Sequence, residues 1–274
     1  MQLKNKYLTI EFDTKAAEIA SIKDQNGEEF MYDGKSEYWG GRNPILFPQV
    51  GNTFKKYYYA KGQKYAMGNN GFARHKIFDV VKHTDDTLVL LLKDDEDTYS
   101  QYPYHFELYV TYHLVNNRLE ISYKVKNLDE ETMPFGFGQH PAFKCPVSND
   151  EKFEDYKIVF EKDENQTGDA AKFIKNKEIH LNFDYFNEVP TLIYENLNSD
   201  YVQLVSKKHV VEVGCKNYRY LAFWTKEGAP FICIEPWMSH GDFADNDLPF
   251  GERESMIKLG SNEEFNISYY IEIK

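Results

Sequence analysis

His105-Phe106-Glu107-Leu108-Tyr109-Val110-Thr111-Tyr112-His113-Leu114 puts an apolar or aromatic side chain at every second position, and after Asn116-Asn117 the alternation resumes with Leu119, Ile121, Tyr123 and Val125. A period of two is that of a strand with one buried face, and the Asn-Asn between the runs supplies a turn. The stretch therefore predicts a long antiparallel hairpin. His105 and His113 fall on its polar phase, which predicts that they face solvent or a groove rather than a reaction centre.

The same period recurs on either side of the hairpin. Leu8, Ile10 and Phe12 open the chain with a strand; a second follows over 17–23, and Asn26-Gly27 turns it into a third. Residues 77–82 and 87–93 form another antiparallel pair, and Phe265, Ile267, Tyr269, Ile271 and Ile273 close the chain with a final strand. The acidic run Asp94-Asp95-Glu96-Asp97 lacks the spacing of a calcium loop and reads as a solvated connection. Many strands, tight turns and almost no helix-period segment predict an all-β, antiparallel fold, and 274 residues are compatible with one such domain over 1–274.

Composition narrows the function classes. With 32 Lys+Arg against 44 Asp+Glu, the formal charge of −12 argues against nucleic acid or an anionic membrane as the main partner. Cys145, Cys215 and Cys233 form no C-x-x-C pair, which predicts reduced thiols and no zinc site. The first residues lack the apolar core of a signal peptide, and no run approaches the roughly 18 apolar residues that span a bilayer. The expected location is the cytoplasm.

Two segments carry chemistry. In Gly136-Phe137-Gly138-Gln139-His140-Pro141-Ala142-Phe143, two glycines and a proline restrict the backbone around one histidine. In Cys233-Ile234-Glu235-Pro236-Trp237, an apolar run, read as a buried strand over 231–234, delivers a carboxylate at its exit, followed by a proline and a large aromatic plate. An imidazole and a carboxylate on opposite sides of a substrate can work as general acid and base.

These two segments, together with Arg42-Asn43-Pro44-Ile45-Leu46-Phe47-Pro48 and Gly71-Phe72-Ala73-Arg74, resemble the aldose 1-epimerase (galactose mutarotase) family, and most closely its bacterial branch associated with lactose operons. The resemblance implies a large antiparallel β-supersandwich with an open groove and no cofactor. It implies that Glu235 removes the proton of a sugar's anomeric hydroxyl while His140 protonates the ring oxygen, with a bell-shaped pH dependence. Arg42 and Arg74 are implied contacts to sugar hydroxyls, and Trp237 reads either as a plate for the apolar face of a pyranose or as a core plate. The family's usual histidine before Gly-Phe-Ala-Arg is replaced by Asn70, which keeps hydrogen-bonding capacity but cannot carry charge. Ser239 stands where the motif has glycine, Asp242 agrees with it, and Pro190 stands where relatives often have aspartate. The expected substrate is a small free sugar such as galactose or glucose. A hexose-6-phosphate mutarotase, or a non-catalytic sugar binder on the same scaffold, are the alternatives.

Overall fold

The computed structural model describes every residue except Ser36 and Asn246. The predicted hairpin is present, Phe106–Val115 pairing antiparallel with Arg118–Asn127. Its apolar phase is buried: Phe106, Leu108, Val110, Tyr112, Leu119, Ile121, Tyr123 and Val125 are all at or below 1% exposure. On one side it is extended by Thr87–Lys93 and Asp79–His83, and on the other by Glu264–Ile273, Val210–Gly214, Tyr201–Val205, Lys157–Phe160 and Glu178–His180, completing a nine-stranded sheet. Every pairing in it is antiparallel.

A second, six-stranded sheet faces it. Its order is Leu192–Glu195, Tyr220–Trp224, Phe231–Trp237, Gly138–Gln139 and Ile45–Leu46, with Ala142–Lys144 also paired to Phe231–Trp237. Aromatic contacts lock the two layers together, among them Phe47 on Phe106, Phe160 on Phe223 and Tyr123 on Phe137. The inner faces of the two sheets thus form the core, as in other β-sandwiches. The fold is all-β and antiparallel.

Phe231–Trp237 is buried on both faces, which is why it reads as a continuous apolar run. Ile232 and Ile234 point into the core, while Phe231, Cys233, Glu235 and Trp237 occupy the opposite face. The strand was expected to end before Glu235. It runs on through Pro236 to Trp237, so Glu235 stands within the sheet, opposite Ala222.

The acidic run 94–97 also departs from its expected form. Asp95 caps a short helix, Glu96–Gln101, in a reciprocal capping box with Thr98. Lys76 pairs with Asp95 and Asp97, and His105 with Asp94, so the charges are compensated locally. His105 and His113 face solvent as predicted.

Candidate functional site

The outer face of the six-stranded sheet brings the two chemical segments together. His140 follows Gly138–Gln139 directly, and that strand pairs with Trp237 on one side and Leu46 on the other. Gly136 and Gly138 serve close approach rather than unusual torsions: a Cβ at Gly138 would lie 2.7 Å from the Trp237 ring. The result sets His140 Nε2 3.3 Å from Glu235 Oε2.

Both groups are withdrawn from water, His140 being 9% and Glu235 1% exposed. The Trp39 ring stacks on the imidazole at 4.6 Å, and Trp224 meets it edge-on at 5.6 Å. His140 Nδ1, both Glu235 carboxylate oxygens and Trp237 Nε1 are buried without a hydrogen-bond partner. Polar atoms buried in this state cost free energy unless a ligand satisfies them, so the cluster is built for an occupant.

Burial controls the charges. It pushes the Glu235 carboxyl well above the usual carboxylate range, against the opposing influence of the nearby Trp237 indole and the Arg74 guanidinium. Burial, reinforced by Arg74, pushes His140 down to about 3. Burial therefore favours a neutral imidazole beside a protonated carboxyl, the reverse of the expected resting charges. The two descriptions hold the same number of protons and differ only in which partner carries the movable one.

Lowering an imidazole pKa has a thermodynamic consequence. Below the ordinary value of 6.5 an unfolded chain takes up a proton that folded His140 refuses, so stability falls as pH drops from there toward about 3. At about pH 4 this amounts to roughly 3 kcal/mol. Urea denaturation at neutral pH and near pH 4 is expected to show that loss in the wild type, and a smaller one in His140→Gln.

Arg74 is delivered by a specific backbone device. Asn70 and Gly71 adopt φ of +64° and +67°, and a Cβ at Gly71 would lie 2.2 Å from the Phe47 carbonyl oxygen. The turn docks there because Phe72 and Ala73 N–H both donate to that oxygen, and the 3-10 turn Ala73–His75 follows. The guanidinium makes no hydrogen bond or ion pair among the described residues, and it feels the charges of Glu18 and Glu235. His75, beside it, is exposed.

The remaining candidates divide by what they hold. Arg42 donates Nε to Glu18 at 3.2 Å and reaches Asp13 at 3.5 Å, so its charge is largely compensated within the protein. Asn70 is also engaged: Oδ1 accepts from Gly51 N–H at 2.6 Å, and its own N–H donates to the Gly51 carbonyl at 2.8 Å. Asparagine tolerates the left-handed region, which gives its presence here a local cause. Asn70→Ala is expected to cost about 2 kcal/mol, from the lost bond and the strained alanine, as measured by chemical denaturation. Trp237 packs with Leu46, Val50 and Ala222. Asp242 forms a buried ion pair with Arg253 and accepts from Phe54 N–H; Ser239 Oγ donates to the Ser255 carbonyl. Both are structural.

Besides Trp224, two features escaped the sequence reading. Trp39 is the first, and its signal was the following Gly40-Gly41: a Cβ at Gly41 would lie 2.5 Å from the indole, so only glycine lets the ring fold back. Cys233 is the second. One donor atom each from His140, Cys233 and Glu235 lie within 4.8 Å of one another, a set of the kind that zinc accepts. The spacing that excluded zinc in sequence did not reveal this cluster. Two things oppose a cation there: Arg74 adds positive charge, and burial with Glu235 nearby holds the Cys233 thiol protonated.

Comparison with known proteins bears on the family and the fold. Residues 1–247 match the Aldose 1-epimerase family. The protein LacX, chromosomal, of Lactococcus lactis subsp. lactis is 32% identical over 260 residues, covering 86% of this chain and 87% of its own. Among solved structures, a galactose mutarotase related enzyme from Lactobacillus acidophilus superposes with a TM-score of 0.92 at 31% identity, over 100% of this chain and 97% of that one. A galactose mutarotase-like protein from Lactobacillus casei gives the same TM-score at 24% identity, over 100% of this chain and 99% of that one, and shares the fold. By the match over residues 1–247 and a relative at 32% identity, the chain belongs to the aldose 1-epimerase family.

Proposed function

We propose that this protein interconverts the α and β anomers of a free aldohexose, with His140 and Glu235 exchanging one proton through the sugar. The observation that carries the reading is the 3.3 Å approach of His140 Nε2 to Glu235 Oε2 in a site where neither carboxylate oxygen has a hydrogen-bond partner. Family membership supplies the reaction class.

The anomeric hydroxyl and the ring oxygen are the two positions that must exchange a proton. One member of the pair takes the hydroxyl proton as the C1–O5 bond breaks, and the other protonates O5, giving the open-chain aldehyde. Rotation about C1–C2 and closure with the roles exchanged yield the other anomer. The sugar hydroxyls replace the missing hydrogen bonds of the pair. Arg74 steadies the carboxylate when it ionises, and Trp39 and Trp224 hold the imidazole plane and exclude water. Trp237, on the same face as Glu235, offers an apolar wall to the ring.

The unphosphorylated sugar is favoured by the charge arrangement. A phosphate is held best by several uncompensated cations; Arg42 is bound by Glu18 and Asp13, which leaves Arg74 alone, and its charge acts on the His140–Glu235 pair. Polarimetry of freshly dissolved α-D-glucose and α-D-galactose tests the proposal. Acceleration over the spontaneous rate supports it; saturable binding without acceleration would replace it with a sugar-binding role.

A further inference from the structure

The chain turns at 148–151, where Glu151 N–H donates to the Ser148 carbonyl, and this turn meets a second one at 206–209. The second turn is held by Ser206 Oγ, which accepts from the N–H groups of Lys208 and His209, each at 3.1 Å, and Lys208 pairs with Asp150 across the junction. Three side chains are set in series as a result. His209 Nδ1 lies 3.0 Å from Glu151 Oε2, and His209 Nε2 lies 3.4 Å from the hydroxyl of half-buried Ser148, which has no other partner among the described residues. None of the three belongs to the His140–Glu235 site.

The carboxyl decides what each ring nitrogen does. Against its burial, hydrogen bonds from Ser206, Tyr156 and His209 hold Glu151 below the usual carboxylate range, the Tyr156 hydroxyl donating at 2.5 Å. An ionised carboxylate only accepts, so in the neutral imidazole Nδ1 carries the hydrogen and Nε2 turns its lone pair to Ser148. That is the tautomer of a general base, and a slightly long contact is usual before a substrate closes it. The N–H of Asn149, the residue after the serine, makes no hydrogen bond among the described residues. In acyl-transfer sites that follow a serine with a turn, this N–H is a usual donor to the oxyanion. His209 is also the wall of a cavity of about 710 Å³, lined besides by Phe30 and by polar Gln25, Asn26 and Asn117. Cavities of this size are typical of small-molecule sites.

We infer that Ser148, His209 and Glu151 form a second active site, which hydrolyses carboxylic esters of polar alcohols. Ser148 Oγ attacks the ester carbonyl carbon and its proton passes to His209 Nε2, while Glu151 positions the ring. The tetrahedral adduct then expels the alcohol, which leaves with the proton from Nε2. A water molecule, deprotonated by the same nitrogen, attacks the acyl-serine; the carboxylic acid departs and the proton returns to Ser148 Oγ. Ester and water thus give acid and alcohol. Because the leaving alcohol takes its proton from Nε2, it lies against His209, and the polar cavity that His209 lines is the space open to it.

Hydrolysis of 4-nitrophenyl acetate and of triacetin, together with labelling by a fluorophosphonate, tests this. The wild type is expected to hydrolyse both esters with saturation, and Ser148→Ala to lose about a hundredfold or more in kcat/KM with an unchanged circular dichroism spectrum. Glu151→Gln is expected to fall at least about tenfold, and Glu151→Asp to recover part of that loss, as a positioning carboxylate requires. The fluorophosphonate should leave its adduct on Ser148, found by mass spectrometry of the wild type, a readout that needs no variant to fold. Equal hydrolysis by the wild type and Ser148→Ala, or an intact Ser148 after exposure to the fluorophosphonate, would overturn the inference and leave the proposed mutarotation standing.

Discussion

Glu235→Gln and His140→Ala are each expected to reduce catalysed mutarotation by about 10²–10⁴-fold, the usual contribution of a positioned acid or base. The double variant should fall little further than the worse single one. In the proposed mechanism the two groups act on one proton transfer, and removing either leaves the other with nothing to exchange. Polarimetry under saturating sugar measures the loss, and circular dichroism confirms that the sheets remain. Glu235→Gln is also expected to raise the melting temperature at neutral and alkaline pH. Burial lifts the folded carboxyl well above its ordinary 4.5, so an unfolded chain releases a proton there that the folded one keeps. Stability attributable to Glu235 is therefore lost as pH rises from the ordinary value to the folded one. An uncharged amide avoids that loss. A variant that is less active but equally labile to alkali would contradict the direction of the shift.

The second large effect concerns pH. In the proposed mechanism the active form holds one movable proton between His140 and Glu235, and that form is bounded by protonation of the imidazole on the acid side and ionisation of the carboxyl on the alkaline side. Arg74 lowers both limits, because a positive charge disfavours imidazolium and favours carboxylate. Removing it in Arg74→Gln should move both limbs of the kcat profile to higher pH, by about one unit or more at the alkaline side. A variant that lost activity without moving either limb would mean that Arg74 contacts only the sugar.

The hairpin at 106–125 was legible because one side of the sheet is core and the other solvent, so side-chain type alternates with position. Phe231–Trp237 was legible as a buried strand but not in its length. Its outer face is covered by aromatics such as Tyr32, Trp39 and Trp224, which removes the alternation that would have marked its end. His140 and Glu235 were found through the surrounding motif, and their mutual distance came from the pairing of Gly138 with Trp237, which no local pattern encodes. Asn70, singled out as a binding residue, has Oδ1 committed to Gly51, and Arg42 is partly committed to acids at 13 and 18. Such commitments depend on partners brought in from other loops. Trp39 was missed for the same reason: it reaches His140 through tertiary folding, and only the glycines beside it hinted at a ring lying flat on backbone.

The chain contains three tryptophans, and all three lie about the His140–Glu235 pair: Trp39 and Trp224 meet His140, and Trp237 shares the outer face with Glu235. Its entire indole emission therefore originates around His140 and Glu235. Intrinsic fluorescence becomes an unlabelled optical gauge of the site, in which an entering sugar displaces the water around those rings and a protonated imidazole quenches the one stacked on it. Occupancy and charge state can then be followed in the same cuvette, on any sugar, including those whose anomers rotate light too similarly for polarimetry to follow.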